Sequence, residues 1–457
     1  MTLQIPLTQI REIIDAKTQN IVDNYQGINV TGITTDSRRV AEGEIFLALA
    51  GENFDGHNFV KTAIEKGAIA AIVQKQILTN SSKQIPQFQV KNSLEAYQKL
   101  ARWWRDRFNI PVIAVTGSVG KTTTKELISS VLSIQGNVHK TQANYNNEIG
   151  VPKTLLQLES SHDFAVIEMA MRASGEIALL AQITCPTVGM ITNVGTAHIG
   201  RLGSEEAIAQ AKCELLAEMP NTSIAILNHD NPLLQKTAAK VWRGETITYG
   251  LEGGDLKGEL IDSQTLRVEG KDFPLPLSGR HNALNYLGAL AVAKVLNVDW
   301  TSLMQGLTVN LPGGRSRRYD MPHDISILDE TYNAGLESML AALHLLKETP
   351  GKRHIAVLGT MKELGERSPQ FHRQVGEKVK ELGIEQLFVL VDDPETEAIA
   401  EGALGISSEC FQDRDELVKR LIEIAQSGDR ILFKASNSVG LNRVVEEFRD
   451  RLAMASM

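Results

Sequence analysis

Cysteine is nearly absent: the 457 residues hold three, Cys185, Cys213 and Cys410, far apart and with no C-x-x-C spacing. Such a scattered, odd set excludes a disulfide framework and a cysteine-zinc site, and fits a reduced compartment. No apolar run reaches the roughly 20 residues needed to cross a bilayer, so no membrane span is expected. The opening "MTLQIPLTQIREIIDAKTQ" lacks the basic, then apolar, then small-residue order of a secretion signal, and a cytoplasmic location is expected. Positive charge is not in surplus either. With a net charge of −8 and no basic run, nothing suggests nucleic acid as a partner. Internal repeats and low-complexity tracts are missing too. What is left, 42% hydrophobic and 22% charged residues, describes a globular chain. Its length suggests about three domains.

Three α/β segments are readable. Up to residue 105, the strand-length runs "EIFLALAG" and "AIAAIVQ" flank the helical spacing of "HNFVKTAIEKGA", with a turn-rich loop "GENFDGHNF". From 106 to 313, "IPVIAVTG", "FAVIEMA", "TVGMITNVG" and "SIAILNHD" read as buried strands alternating with helices. The apolar stripe Leu127, Ile128, Val131, Leu132 and Ile134 marks the first of those helices, and a long apolar one begins near "LSGRHNALN". After the loop "LPGGRSRR", residues 314–457 repeat the rhythm with strands at "HIAVLG", "QLFVLV" and "DRILFKAS". The expected fold class is therefore α/β in three domains. They are a small N-terminal unit, a central P-loop domain on a doubly wound, mostly parallel sheet, and a C-terminal Rossmann-like domain.

The chemistry centres on "AVTGSVGKTTTKELI", Ala114 to Ile128. The usual phosphate-loop pattern G-x-x-x-x-G-K-[ST] asks for glycine at 115, where Val115 stands. The context is nonetheless strand, glycine turn, Lys-Thr, helix. Backbone amides of Gly117, Ser118, Val119, Gly120 and Thr123, with the helix dipole, suit a triphosphate. Lys121 suits its charge, and the Thr122 hydroxyl suits Mg²⁺. The nearest guanine signature, "NHDN" at Asn228–Asn231, lacks its lysine, which counts against a GTPase switch. Glu168 and His198 follow further strands, where an open parallel sheet faces its ligand, so a carboxylate and an imidazole there could bind metal beside the γ-phosphate. Lys212 in "AIAQAKCELL" reads, from pattern alone, as an ordinary solvated helix lysine.

In order along the chain, "TGSVGKTT", "NYNNEIGVP", "VIEMAMRASGEI", "TNVGTAHIGRLGS", "AKCEL" and "GRHNALN" resemble the Mur ligases of peptidoglycan synthesis, whose own loop form is the short T-G-x-x-G-K-T-T. "LDETYNAGLESMLAAL", "LGTMKELGERSPQFHRQVG" and "FKASNSVGLNRVV" resemble the branch that adds D-alanyl-D-alanine to UDP-N-acetylmuramoyl-tripeptide, the MurF type. The N-terminal "TDSRRVAEGEIFLALAGENFDGHNF" fits that branch and the diamino-acid-adding relative, whose typical D-N-P-R is missing here. Departures are Glu330 for the second of two aspartates, Gly335 for an asparagine, and Asn437 where an arginine is usual.

The resemblance implies an ATP- and Mg²⁺-dependent ligation through an acyl phosphate. Lys121, Glu168, His198 and Lys212 are its implied catalytic residues. Thr122, Glu168, His198 and Lys212 are its metal side, with Lys212 carbamylated by CO₂. Asn282, Asn285, Arg315 and Asp329 are implied on the nucleotide. Ser37, Arg38, Asp55, Gly56 and His57 are candidates for the uridine-diphosphate end, where a purely structural turn is the competing reading. Asn144, Asn146 and Asn147 are expected on the muramoyl side, and Tyr332, Asn333, Lys434 and Ser436 on the acceptor side. The family suggests a monomer. Competing readings are another ligase of this chemistry, including a folylpolyglutamate-type enzyme, and a catalytically silent nucleotide-binding relative.

Overall fold

The computed structural model describes residues 4–19, 27–78 and 85–455. Among the described residues, three larger sheets follow one another along the chain, besides a two-stranded antiparallel pair of Ile5–Pro6 with Asn29–Val30. The first has five strands in the order Lys17–Gln19, Gln87–Gln89, Ala70–Val73, Glu44–Leu47, Gly32–Thr34, antiparallel only at its first pair. Ala70–Val73 is buried along its whole length, as a parallel strand covered on both faces must be.

The central sheet has nine strands. Six are parallel, in the order Glu245–Gly250, Ile224–Asn228, Val188–Ile191, Val112–Thr116, Phe164–Glu168, Val138–Lys140. The remaining three, Leu256–Asp262, Thr265–Val268 and Lys271–Pro274, extend one edge as a ribbon whose own pairs are antiparallel. Alternation splits the strand Val112–Thr116 between two cores. Ile113 and Val115 pack with helices Lys121–Leu132 and Arg280–Val295. Val112 and Ala114 pack on the other face with Ile177, Leu180 and Leu215 of helices Glu176–Thr184 and Glu205–Glu218. The chain leaves Val112–Thr116 first toward one edge and later toward the other. The strand order therefore reverses there, and its carboxyl end opens on the crevice where such sheets bind ligands. The helix Lys121–Leu132 ends before Ile134, which is exposed and not part of the apolar stripe.

The third sheet has six strands in the order Arg317–Met321, Ile325–Asp329, Asp429–Lys434, Arg353–Gly359, Gln386–Leu390, Ser407–Phe411, parallel except at its first pair. Helix Ser93–Arg105 joins the first two units. The indole of Trp104 donates to the Leu158 carbonyl at 3.0 Å, and Arg105 donates to the carbonyls of Thr184 and Cys185 at 2.7 and 2.8 Å. The three cysteines are free. Among the described residues no helix is long and apolar enough to cross a membrane.

Candidate active site

The loop Gly117–Gly120 runs from the central strand to helix Lys121–Leu132. Both of its glycines have positive φ, +154° and +81°, and neither has room for a side chain. A Cβ at Gly117 would lie 1.9 Å from Thr192 Oγ1, and one at Gly120 would lie 2.7 Å from Asn285 Oδ1. Thr192 Oγ1 donates to the Val119 carbonyl at 2.7 Å. Asn193 accepts from the amides of Ser118, through its carbonyl, and Val119, through its side chain, at 3.1 and 2.9 Å. Those two amides are thus engaged within the protein. The amides that open the helix, from Lys121 onward, have no partner one turn back and can point at an anion. Lys121 Nζ donates to the carbonyls of Gly117 and Ser118 at 2.8 and 3.2 Å. Burial depresses its proton affinity, Glu168 restores part of it, and Arg315 depresses it further.

Glu168 ends the neighbouring strand and is almost fully buried. Its Oε1 accepts from Thr122 Oγ1 at 3.2 Å and from Asn146 Nδ2 at 2.8 Å, and its backbone amide donates to Thr141 Oγ1 at 3.0 Å. Lys125 stands behind it, with Nζ 3.8 Å from Glu168 Oε2, 3.0 Å from Glu126 Oε1 and donating to the Thr141 carbonyl at 2.8 Å. Lys140 pairs with Glu126 in turn. A buried row of alternating charge thereby sets the carboxylate. Sequence reasoning missed Lys125, because its spacing four residues after Lys121 is the one available signal, and a lysine at that spacing is usually solvated.

Glu168 Oε2 is buried and has no hydrogen-bond partner. A buried carboxylate oxygen that accepts no hydrogen bond, beside a threonine hydroxyl, fits Mg²⁺, which takes few protein oxygens and completes its shell with phosphates and water. Among the described residues no group of three or more His, Cys, Asp or Glu side chains is disposed to hold a metal.

His198 caps the short helix Ile199–Leu202, with φ +66°. Its proton affinity is depressed first by burial and then by the Lys121 charge, with Glu363 opposing and Lys212 adding. Lys212, on helix Glu205–Glu218, is almost wholly buried and forms no hydrogen bond or ion pair among the described residues. Burial, then Lys121, holds it well below the ordinary lysine range. The Lys121 charge acts on both His198 and Lys212, and Lys212 acts on His198, so the three share one electrostatic neighbourhood. Lys212 is not the solvated helix lysine that pattern alone suggests.

Models of three Mur ligase domains match the chain in order. They are the Mur ligase family catalytic domain at residues 29–105, the middle domain at 115–293 and the glutamate ligase domain at 314–437. The chain belongs to the Mur ligase family. It is 57% identical over 447 residues to the UDP-N-acetylmuramoyl-tripeptide–D-alanyl-D-alanine ligase of Synechocystis sp., covering 98% of each chain. The Bacillus subtilis ligase of the same name is 34% identical, covering 93% of this chain and 94% of that one. A crystal structure of MurF from Acinetobacter baumannii matches with a TM-score of 0.90 at 30% identity, covering 98% of this chain and all of that one. MurF from Thermotoga maritima, crystallised in complex with ADP, matches with a TM-score of 0.82 at 33% identity, covering 93% and 98%.

Around the Mur ligase loop, Asn282 donates to the Ser278 carbonyl at 2.8 Å and to Ser316 Oγ at 3.3 Å, while Asn285 backs Gly120. Arg315 lies 4.0 Å over the Tyr332 ring, and its buried Nε has no partner. Asp329 accepts from the Thr331 amide and hydroxyl at 3.1 and 2.6 Å. It lines a cavity of about 300 Å³ that also takes in Gly314, Tyr332, Asn437 and Asn442. Lys434 donates to the carbonyls of Glu330 and Asn333 at 3.4 and 3.0 Å. Burial depresses Lys434 and raises Glu330, and each partly offsets the other. Ser436 Oγ accepts from the Lys362 amide at 3.0 Å.

The remaining candidates differ in how committed they already are. Asn147 lies just before helix Gly150–Leu155 and accepts from the Gly150 amide at 2.9 Å, and Asn144 is exposed. His57 is buried, 2.5 Å from Asp55 Oδ1 and accepting from the Gln74 amide at 2.8 Å. A Cβ on Gly56 would meet the Leu49 carbonyl at 2.7 Å. Those contacts are what a structural turn needs. Ser37 is buried, whereas Arg38 is exposed and forks onto Asp36 with two bonds of 2.9 Å. That pairing holds the Asp36 carboxyl down to about 2.

Proposed function

We propose that this chain is an ATP-dependent ligase that joins D-alanyl-D-alanine to UDP-N-acetylmuramoyl-tripeptide, giving the pentapeptide precursor of peptidoglycan. The observation that carries the reading is the end-to-end match to the Synechocystis ligase of that name. The arrangement of Lys121, Thr122 and Glu168 at the carboxyl end of the central sheet supports it.

The tripeptide's terminal carboxylate attacks the γ-phosphorus of ATP, the bond to the β-bridging oxygen breaks, and ADP leaves. The acyl phosphate so formed is attacked at carbon by the amine of D-alanyl-D-alanine. The carbon–oxygen bond to phosphate breaks, phosphate departs, and the amine proton is lost to solvent. A carboxylate is a poor electrophile, so phosphorylation supplies the leaving group, and the protein's part is positioning and charge stabilisation. Lys121 and the first amides of its helix receive the phosphates. Thr122 and Glu168 would hold Mg²⁺, whose charge would screen the phosphate oxygens from the incoming carboxylate.

His198 and Lys212 would serve a second metal ion. A buried lysine held below its ordinary range keeps a neutral amine. That amine can add to CO₂, forming an N–C bond and releasing a proton to leave a carbamate. The anion suits a cation-binding crevice better than an ammonium does. Asn282, Asn285, Arg315 and Asp329 serve the nucleotide, Asn144, Asn146 and Asn147 the muramoyl side, and Tyr332, Asn333, Lys434 and Ser436 the acceptor. Residues 1–105 take the uridine-diphosphate end through Ser37, Arg38 and the Asp55–His57 turn, 106–313 the ATP, and 314–457 the amine. The enzyme acts as a monomer in the cytoplasm.

The test is phosphate release from ATP and Mg²⁺ with the UDP-tripeptide, with and without D-alanyl-D-alanine. Release that needs both, with the pentapeptide mass in the product, is expected. Release with another amine alone moves the specificity, and no release with any pairing contradicts the reading.

A further inference from the structure

The reaction above uses His198 without saying what sets its ring. Its environment comes from two domains. His198 adopts φ +66° and Glu363 adopts φ +67°, a backbone conformation that residues with side chains rarely take. The two side chains meet across the joint, with His198 Nδ1 2.6 Å from Glu363 Oε2. Arg201 Nη2 lies 3.6 Å from the other carboxylate oxygen. The backbones meet as well: the Gly200 amide donates to the Glu363 carbonyl at 3.3 Å. A Cβ on Gly200 would lie 2.5 Å from the Gly365 nitrogen, and one on Gly365 would lie 2.7 Å from Gly200 Cα. Beside them Glu337 accepts from the Thr196 amide and hydroxyl at 2.6 and 3.2 Å. Residues 196–201 belong to the central unit, and Glu337, Glu363 and Gly365 to the C-terminal one. Lys362, next along the chain, is turned to Asp392 and Asp393 at 3.0 and 3.5 Å, so it does not neutralise Glu363.

We infer that Glu363 is a positioning residue: the C-terminal domain delivers the carboxylate that orients the His198 ring, so the ring is set only while the two domains touch. Its role in the reaction rests on the ligase reading. The physical reason is that an imidazole whose Nδ1 faces a carboxylate keeps its proton there, which leaves Nε2 free to accept or to ligate. At 2.6 Å the pair is within hydrogen-bond reach, but the approach lacks hydrogen-bond alignment and Nδ1 counts as unpartnered. Both partners are partly exposed, so the pair adds little stability. What it supplies is local: the orientation of the ring and of the loop that carries it. The glycine-on-glycine approach keeps the two loops near enough for the contact, and two costly backbone conformations are spent on aiming its ends.

The test combines hydrogen–deuterium exchange on the ligand-free, full-length protein with steady-state kinetics of the wild type, Glu363→Ala, Glu363→Gln and Gly200→Ala. Glu363→Ala is expected to raise exchange across residues 195–203 and to lower kcat by roughly 10- to 100-fold, with KM for ATP unchanged. Glu363→Gln, whose amide oxygen still accepts from Nδ1–H, is expected to keep the protection and recover most of kcat. Gly200→Ala, which pushes the loops apart from the other side, is expected to reproduce the alanine variant. Unchanged exchange and kcat in Glu363→Ala overturn the inference, and so does a Glu363→Gln enzyme as slow as Glu363→Ala. A wild type that does not ligate at all sinks the ligase reading instead, while the exchange result still decides the contact.

Discussion

The phosphate loop at Gly117–Gly120 is fixed by residues of its own domain, whereas the ring of His198 is met by a carboxylate from the next one. Thr192, Asn193 and Asn285 hold the loop through short bonds and a lack of space, and Glu168 behind it is set by Thr122, Asn146 and the buried Lys125. The His198 contact needs Glu363, which the next domain supplies. A pre-set cradle suits a nucleotide that must bind before anything else can occur. A contact made between domains suits a later step, in which water has to be kept from an acyl phosphate. The difference teaches that one crevice can be set partly within a single domain and partly across the joint between two.

The comparison breaks most visibly at Lys125. Lys125→Met leaves Glu126 and Glu168 buried without their shared cation, and is expected to cost about 3–5 kcal/mol of unfolding free energy, read by urea denaturation. A loss near zero would mean that the buried row does not set Glu168. Next comes Lys121→Met, which removes charge where phosphate charge develops. Phosphate release should fall by roughly 10²–10³-fold. A drop within tenfold would take the loop out of the chemistry. Lys212 gives the third prediction. Stripping CO₂ from the buffers should slow the wild type at least about tenfold, with recovery on adding bicarbonate. Lys212→Ala should be slow under both conditions, and an indifferent wild type would rule out the carbamate.

The last effect is read on stability and not on rate. Burial, with Lys434 nearby, lowers His281 to about 4 from an ordinary 6.5. Between those values the unfolded chain binds more protons than the folded one, so stability from this group is complete above pH 6.5 and drains away as pH falls toward 4. His281→Asn should flatten that part of the melting-temperature profile. An unaltered slope between pH 7 and 5 would show that His281 is not held neutral.

How much of this is legible in the sequence follows from how local each feature is. Strands such as Val112–Thr116 and Phe164–Glu168 are unbroken apolar runs because helices cover both faces, and they read directly. The phosphate loop reads for the same reason: strand, turn, lysine and helix are contiguous. The edge ribbon Leu256–Pro274 does not, since its strands carry "KGEL" and "TLRV", a mixture that half-exposed strands and loops share. Lys125 hides because burial of a lysine is decided by partners 16 and 43 residues away, Thr141 and Glu168. Glu363 hides more completely. Nothing near it in the chain announces a histidine 165 residues earlier, and only the meeting of two domains brings them together.

The most direct test of the account is to label the tripeptide's terminal carboxylate with ¹⁸O and examine the phosphate released during ligation. Attack of that carboxylate on ATP leaves its oxygen bridging carbon and phosphorus, and departure of phosphate carries it away. The account predicts one ¹⁸O in each phosphate formed. Phosphate free of label, with pentapeptide still made, would contradict it.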